Sequence, residues 1–223
     1  ITRNVIASNW ASKSGYYSGG GGGIYCAGGS PTITYNTISN NLSYSRGGGI
    51  SCMSGASPTI SNNVMDSNQA GGGGGAIAFL SANGSVSNCT ITNNPTVDWE
   101  GGGIIVQWNS NVSISDCLIS GNTAHGGAGI SFIESNGGTP DGTVTRCVIV
   151  NNVTETHEWG GGGVHCKQSG VVTFSNCVIA GNIAGGEGGG GILCEGVGTT
   201  NITNCTIAEN SCPVTRCRVR SNC

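Results

Sequence analysis

Charged and aromatic side chains are both scarce in this chain, at 9% and 5% of its 223 residues. The 8 basic residues are outnumbered by 11 acidic ones, and the formal net charge is −3. Nucleic acids and anionic membrane surfaces are bound by basic patches, so neither is an expected partner. No apolar run approaches the roughly 20 residues of a membrane-spanning helix, so no membrane insertion is expected.

Strong helix formers such as Leu, Glu, Lys and Arg are also infrequent, which argues against amphipathic helices. Glycine is abundant, with 42 residues, but the chain has only 5 prolines and no Gly-X-Y period, which excludes a collagen triple helix. The 36% hydrophobic content and the low net charge exclude a disordered chain. The composition therefore predicts an all-β fold with an apolar core.

Two sequence markers recur along the chain. The first is a glycine run that ends in an aliphatic residue: Ile24, Ile50, Ile77, Ile104, Ile130, Val164 and Ile192. The second is an Asn or Cys, an aliphatic residue two positions later and an Asn three positions after that. Its terminal residues are Asn9, Asn41, Asn68, Asn94, Asn122, Asn152, Asn182 and Asn210. An apolar residue stands three positions before the Asn or Cys in every copy, so the pattern is a genuine repeat.

Within each copy, apolar and polar residues alternate with the period of a β-strand. One such unit cannot bury its apolar side alone, so successive copies must stack. We predict a right-handed parallel β-helix of about eight coils of 26–34 residues, with three short strands per coil. Residues 1–210 form this single domain, and residues 211–223 a Cys-rich C-terminal strand or cap. The terminal Asn residues are expected to stack at a turn, in left-handed backbone, with their amides bonded to the next coil.

The GGGI or GGAI run followed by a strand and an Asn turn resembles the repeats of right-handed parallel β-helix proteins. These include the polymorphic outer-membrane proteins and other secreted bacterial surface proteins of the pectate-lyase-like superfamily. The resemblance covers nearly the whole chain. It implies an extracellular or cell-surface location, but it does not fix an activity, because the superfamily spans lyases, glycosidases, adhesins and passive stalks.

Most of the 12 cysteines occupy two repeat positions. At one of these, Phe and Val alternate with Cys, which indicates buried thiols. Disulfides between adjacent coils are the alternative, and the candidates are Cys26 with Cys52 and Cys166 with Cys194. Cys212, Cys217 and Cys223 lie outside the repeat and are further disulfide candidates. No CxxC or Cys/His spacing is present, so neither a metal site nor a cofactor is expected.

Chemically capable residues gather in the loops before the glycine runs. Candidate carbohydrate contacts are Asp98, Trp99, Glu100, His125, His157, Glu158 and Trp159. Aromatic side chains beside carboxylates suit sugar rings, because sugars stack on aromatic faces and their hydroxyls need acceptors. Two carboxylates could also support hydrolysis, whereas ordinary solvated loops are the plainest interpretation. No catalytic residue is assigned, because the chain lacks the motifs of β-helix pectinases.

One strand per coil places aliphatic residues outward in the middle of the chain. Leu118, Val148, Val150 and Val178 predict a lateral contact surface, unless an arm of the same chain covers it. An ice-binding surface would need regular rows of outward Thr, and on this strand Val and Leu interrupt the row. Ice binding is therefore a minor alternative.

Neither end of the repeat carries an evident cap. The chain is either a piece of a longer β-helix or a subunit that stacks end to end into a filament. We expect a secreted or surface-attached, non-enzymatic structural protein that self-associates end to end or laterally, as a stalk, an adhesin segment or a filament subunit. A carbohydrate-binding or carbohydrate-active β-helix is the alternative.

Overall fold

The chain forms a stack of parallel coils. The computed structural model describes residues 1–12, 20–155, 160–167, 170–186 and 188–212. Within these residues every element is a β-strand, and every pairing between named strands is parallel. None of the described residues forms a helix long and apolar enough to span a bilayer.

Three long sheets run the length of the stack, each taking one strand from a coil. Sheet 1 contains β3 (Ile24–Ala27), β7 (Ile50–Met53), β11 (Ile77–Leu80), β14 (Ile104–Gln107), β18 (Ile130–Ile133), β22 (Val164–Lys167) and β26 (Ile192–Glu195). Sheet 2 contains β4 (Thr32–Thr34), β8 (Thr59–Ser61), β12 (Gly84–Ser87), β15 (Asn111–Ser115), β19 (Asp141–Thr145), β23 (Val171–Ser175) and β27 (Thr199–Thr203). Sheet 3 contains β1 (Val5–Ala7), β5 (Thr37–Ser39), β9 (Val64–Asp66), β13 (Thr90–Thr92), β16 (Leu118–Ser120), β20 (Val148–Val150), β24 (Val178–Ala180) and β28 (Thr206–Ala208).

Each coil passes through sheets 1, 2 and 3 and then returns through a loop. A two-residue strand precedes this loop in most coils, which the sequence did not predict. These short strands form two further sheets: β2 (Trp10–Ala11), β6 (Leu42–Ser43) and β10 (Gln69–Ala70), and β17 (Thr123–Ala124), β21 (Val153–Thr154) and β25 (Ile183–Ala184). Sheets of seven and eight strands correspond to about 7 turns, close to the eight predicted.

Side chains inside the coils form the predicted ladders. In sheet 1, Ile104 pairs in register with Ile77 on one side and Ile130 on the other, and all three are fully buried. In sheet 2, Val144 lies between Ile114 and Phe174. Because like residues stack on like residues, each coil buries the apolar faces of its neighbours.

A buried Asn ladder forms one corner of the stack, as predicted. Both the backbone N–H and Nδ2 of Asn122 donate to Oδ1 of Asn152, at 3.0 and 2.9 Å. Nδ2 of Asn122 also donates to the carbonyl of Ile91, at 3.1 Å. The expected left-handed backbone, however, lies one residue earlier, as at Asn93 and Gly121. The ladder Asn residues Asn94 and Asn122 themselves have no positive φ.

At the turn between sheets 2 and 3, some coils have Cys where others have Asn, and the thiol takes the place of the Asn side-chain amide. Nδ2 of Asn36 donates to the carbonyl two residues before it and to that of Ile1, at 3.0 and 3.2 Å. The thiol of Cys117 has the corresponding bonds, at 3.1 Å to Ser115 and 3.8 Å to Val86. A thiol donor therefore satisfies the same carbonyls as an amide, which explains why the repeat accepts either residue.

The predicted cross-coil disulfides are not formed. Cys26 and Cys52 face each other in register, and both are thiols. Cys166, which faces Cys194, is also a thiol, and burial raises its pKa to about 12. Cys194 itself is in a disulfide, but not with Cys166. A fully protonated, buried thiol behaves as a small hydrophobic side chain. Cys212 donates its thiol hydrogen to the carbonyl of Gly186, whereas Cys217 and Cys223 lie outside the described residues.

Close backbone contact explains the glycine runs at the loop corner. Gly101 has a φ of 70°, which favours glycine. A Cβ on Gly102 would lie 2.6 Å from the carbonyl oxygen of Thr123, and one on Gly103 2.5 Å from that of Gly129. One glycine therefore turns the chain, and the next two allow adjacent coils to touch.

The outward faces of the three sheets differ. The return loops cover that of sheet 1, where Ala78, Leu80, Ile105 and Ile133 form a second small core. The outward faces of sheets 2 and 3 remain partly or fully exposed along their length. In sheet 2, each buried residue is flanked by two outward ones, in segments 32–34, 59–61, 85–87, 113–115, 143–145, 173–175 and 201–203.

Candidate functional site

A groove lies on the loop side of the stack, where β6 and β10 lead into their glycine loops. Its volume is about 320 Å³. Three consecutive coils contribute its lining: Leu42, Ser43, Tyr44 and Ser45 from one, Gln69, Gly71 and Gly72 from the next, and Val97 and Asp98 from the third. The groove therefore depends on the stacking of coils that are distant in sequence.

Aromatic, acidic and amide groups meet in this groove. Tyr44 is 53% exposed and packs against Trp10, which is 64% exposed, with ring centroids 5.9 Å apart and planes tilted by 58°. Asp98 is exposed at the opposite coil, and Gln69 lies between them. An open aromatic surface with nearby hydrogen-bonding groups is suited to a sugar ring.

The candidate carbohydrate contacts separate in the structure. Only Asp98 lines the groove. Trp99 is half-buried and packs on the second core beside Trp108. His125 is half-buried in the next coil, where its backbone N–H donates to the carbonyl of Trp99 at 2.9 Å. His157, Glu158 and Trp159 lie outside the described residues.

Glu100 is buried rather than presented to a ligand. Its Oε2 accepts a hydrogen bond from Ser131 Oγ at 2.7 Å and lies 2.7 Å from Nδ1 of His165. Nε2 of His165 is 3.4 Å from Oε2 of Glu195. This cluster holds the end of the Asp98–Glu100 loop against the outward face of sheet 1.

The imidazole at the centre of this cluster is completely buried. Burial opposes its positive charge, but the carboxylate of Glu100, with a smaller contribution from Glu195, outweighs that effect and raises the pKa of His165 to about 9. At neutral pH the cluster is therefore a buried ion pair. Its position under the loop makes it a structural element of the covered face.

The predicted lateral residues do form a continuous outward row on sheet 3. Leu118, Val148 and Val178 pair in register on adjacent strands and are 38–39% exposed. Val150, two residues further along β20, is half-buried. No described segment of the chain covers Leu118, Val148 or Val178.

Comparison with protein-family models gives one match. Residues 1–156 match the model described as the right handed beta helix region. The chain belongs to this right-handed β-helix family. The parallel coils of the structure agree with that assignment, so the predicted fold class is confirmed. No curated protein and no solved structure matches this β-helix.

The exposed pair of Trp10 and Tyr44 was not among the candidate contacts predicted from the sequence. A usable signal exists, because Tyr44 and Val97 both stand three residues after a ladder Asn and therefore occupy equivalent places in their coils. Aligning the loops on the Asn ladder would have brought Tyr44 next to Asp98.

Proposed function

We propose that the protein is a secreted or cell-surface structural β-helix, without enzymatic activity, that associates laterally through sheet 3. The row of Leu118, Val148 and Val178 carries this proposal. Parallel sheets are normally covered on both faces, whereas this row leaves aliphatic side chains open on an otherwise regular surface. A second copy placed against the same row would bury these side chains.

Two further points support a structural role. The strongest acid–base cluster of the described residues, Glu100 with His165, is buried and internally paired, so it is closed to substrates. The resemblance of the repeats to secreted bacterial surface proteins favours an extracellular location. Stalk, adhesin segment and filament subunit are all consistent with a rigid stack of coils.

Replacing Val148 with Lys tests lateral association, because a charge on the row would repel a second copy. Light scattering and electron microscopy of the wild-type protein should show assemblies thicker than one rod, which Val148→Lys should convert into single rods. Thr143→Lys is the matched control, since Thr143 is an exposed outward residue of sheet 2, away from this row. Single wild-type rods at every concentration would contradict the proposal.

Glycan binding is the second candidate, and the groove between Tyr44 and Asp98 favours it. Its exposed aromatic pair offers a stacking surface, and Asp98 offers an acceptor for sugar hydroxyls. A panel of soluble polysaccharides would be tested by affinity electrophoresis. Retardation of the wild-type protein should disappear in the Trp10→Ala plus Tyr44→Ala variant and persist in Tyr35→Ala, which removes an exposed tyrosine away from the groove. Equal retardation of all three proteins would rule the groove out.

A further inference from the structure

Sheet 2 presents an outward surface of unusual uniformity. Each of its seven strands places two outward side chains on either side of an inward apolar residue. The four longer strands add a third outward position outside these two columns, held by Asn111, Asp141, Val171 and Thr199. Every side chain of the two columns carries a hydroxyl group except Asn201. Neither column contains a charged or an aromatic residue. The proposed lateral contact and the groove both lie elsewhere on the coil.

Strand register aligns the hydroxyl groups into two straight columns. Ser113 pairs with Thr143, and Ser115 with Thr145, and the same one-to-one pairing continues without a bulge through the neighbouring strands. Rungs of a sheet repeat at about 4.7–4.9 Å, and the two columns are separated by about 6.6–6.8 Å. Stacked side-chain ladders keep such a sheet from twisting. The surface is therefore a two-dimensional lattice of hydroxyl groups.

Hydrogen bonds between rungs restrict these hydroxyl groups. Oγ1 of Thr145 lies 3.1 Å from Oγ of Ser175, and Oγ1 of Thr143 donates to Oγ of Ser113 at 3.3 Å. Each hydroxyl in such a chain has donor or acceptor capacity left for the solvent side. The two bonded pairs are thus oriented before a ligand arrives, which lowers the entropy lost on binding there.

The charged groups that border the columns are already paired. Arg146 and Asp116, at the turn beside one column, form a bidentate ion pair with contacts of 2.7 and 2.8 Å. At the other border, Oδ1 of Asp141 accepts the backbone N–H of Val171 at 2.6 Å. These contacts engage the guanidinium and both carboxylates at the borders, and the two columns themselves contain no charged residue.

We propose that this face of sheet 2 binds ice. Small-molecule sites are concave and bring a few different polar groups together, whereas this face repeats one group at a fixed spacing, which suits a ligand that is itself a lattice. The water oxygens at an ice surface form a regular array of hydrogen-bonding groups of this kind. A crystalline polysaccharide would call for aromatic stacking surfaces, which the columns lack. Ice binding would be a second activity, separate from the proposed structural role.

Ice recrystallisation inhibition and the shape of single ice crystals test the proposal. The wild-type protein should slow recrystallisation and facet the crystals, and Thr143→Lys, at the centre of the exposed column, should abolish both effects. Thr37→Lys makes the same chemical change on sheet 3 and should retain both. Circular dichroism melting curves of the three proteins show that the variants are folded, and Ser113→Lys provides a second variant of the column.

Several results would overturn the proposal. One is unchanged ice growth in the presence of the wild-type protein, and another is full activity in both folded column variants. Equal losses in Thr143→Lys and Thr37→Lys would show that the effect does not belong to this face. Binding of the wild-type protein to crystalline cellulose or chitin, lost in Thr143→Lys, together with no effect on ice, would assign the lattice to a polysaccharide instead.

Discussion

The outward faces of sheets 1 and 2 show how differently one repeat can be used on two sides of a coil. Sheet 1 is covered by the return loops, and its outward positions hold apolar residues such as Ile105 and the ion pair of Glu100 with His165. Sheet 2 has no such cover, and most of its outward positions hold Ser, Thr or Asn. The return loops fold back over sheet 1, whereas the connections between sheets 1 and 2 leave sheet 2 open.

The inward residues of the two sheets are alike, since both alternate with the same period and stack in register. The difference therefore arises outside the coil, where the path of the return loops decides whether an outward residue meets protein or solvent. A covered face contributes to stability, and an open face is available for contacts. Substitutions on the two faces should consequently have effects of different size.

The largest effect is expected on the covered face. Glu100→Ala leaves the buried imidazole of His165 and the hydroxyl of Ser131 without their carboxylate. Removing one partner of a buried ion pair typically costs about 3–5 kcal/mol, and the free energy of unfolding should fall by that amount in urea titrations. A loss below about 1 kcal/mol would mean that the covered face is no more important than the open one.

A smaller effect is expected from raising the pH. The pKa of His165 in the folded chain, about 9, lies above its ordinary value of about 6.5. Its contribution is therefore complete below pH 6.5 and is lost as the pH rises through 9. The free energy of unfolding should decrease across this window by at most about 3 kcal/mol.

Glu100→Gln provides the control for this pH dependence, because it removes the charge that raises the pKa of His165. Urea titrations between pH 6 and 9.5 should show a much flatter profile for this variant than for the wild type. Parallel profiles would place the titrating group elsewhere in the molecule.

The smallest effect is expected on the open face. Thr143→Val keeps the shape and strand preference of the side chain and removes one exposed hydroxyl. Surface substitutions of this kind usually change the free energy of unfolding by less than about 0.5 kcal/mol. A thermal melt of this variant that falls as far as that of Glu100→Ala would show that the hydroxyl columns hold the stack together.

Much of the interior was predictable from the sequence. The recurrence of Ile104 and its equivalents, and of Asn122 and its equivalents, established the coil, its parallel register and the two ladders. Residues that occupy the same position in successive coils must stack on one another, so the repeat alone determines which residues are neighbours. Buried thiols and a disulfide were the two alternatives predicted for Cys26 and Cys52, and the structure has thiols at both positions.

The outward faces were predicted less well. A row of outward Thr for ice binding was considered only on the strand of sheet 3, where Val148 and its neighbours interrupt it. The Ser and Thr residues on either side of Val144 and its equivalents in sheet 2 were not considered. Glu100 and Trp99 were assigned to a carbohydrate surface because they stand beside exposed loop residues. Nothing in their local sequence shows that their loop turns back onto sheet 1.

The sequence by itself determined the stack: its repeat, its strands and the residues inside each coil follow from a period that every copy obeys. Only the tertiary structure decided which outward residues are covered. Tyr44 and Asp98 line one groove, and Glu100 contacts His165, through loops that differ from coil to coil. Such contacts join residues that are distant in sequence through loops that do not follow the repeat. They can therefore be identified only in the folded stack.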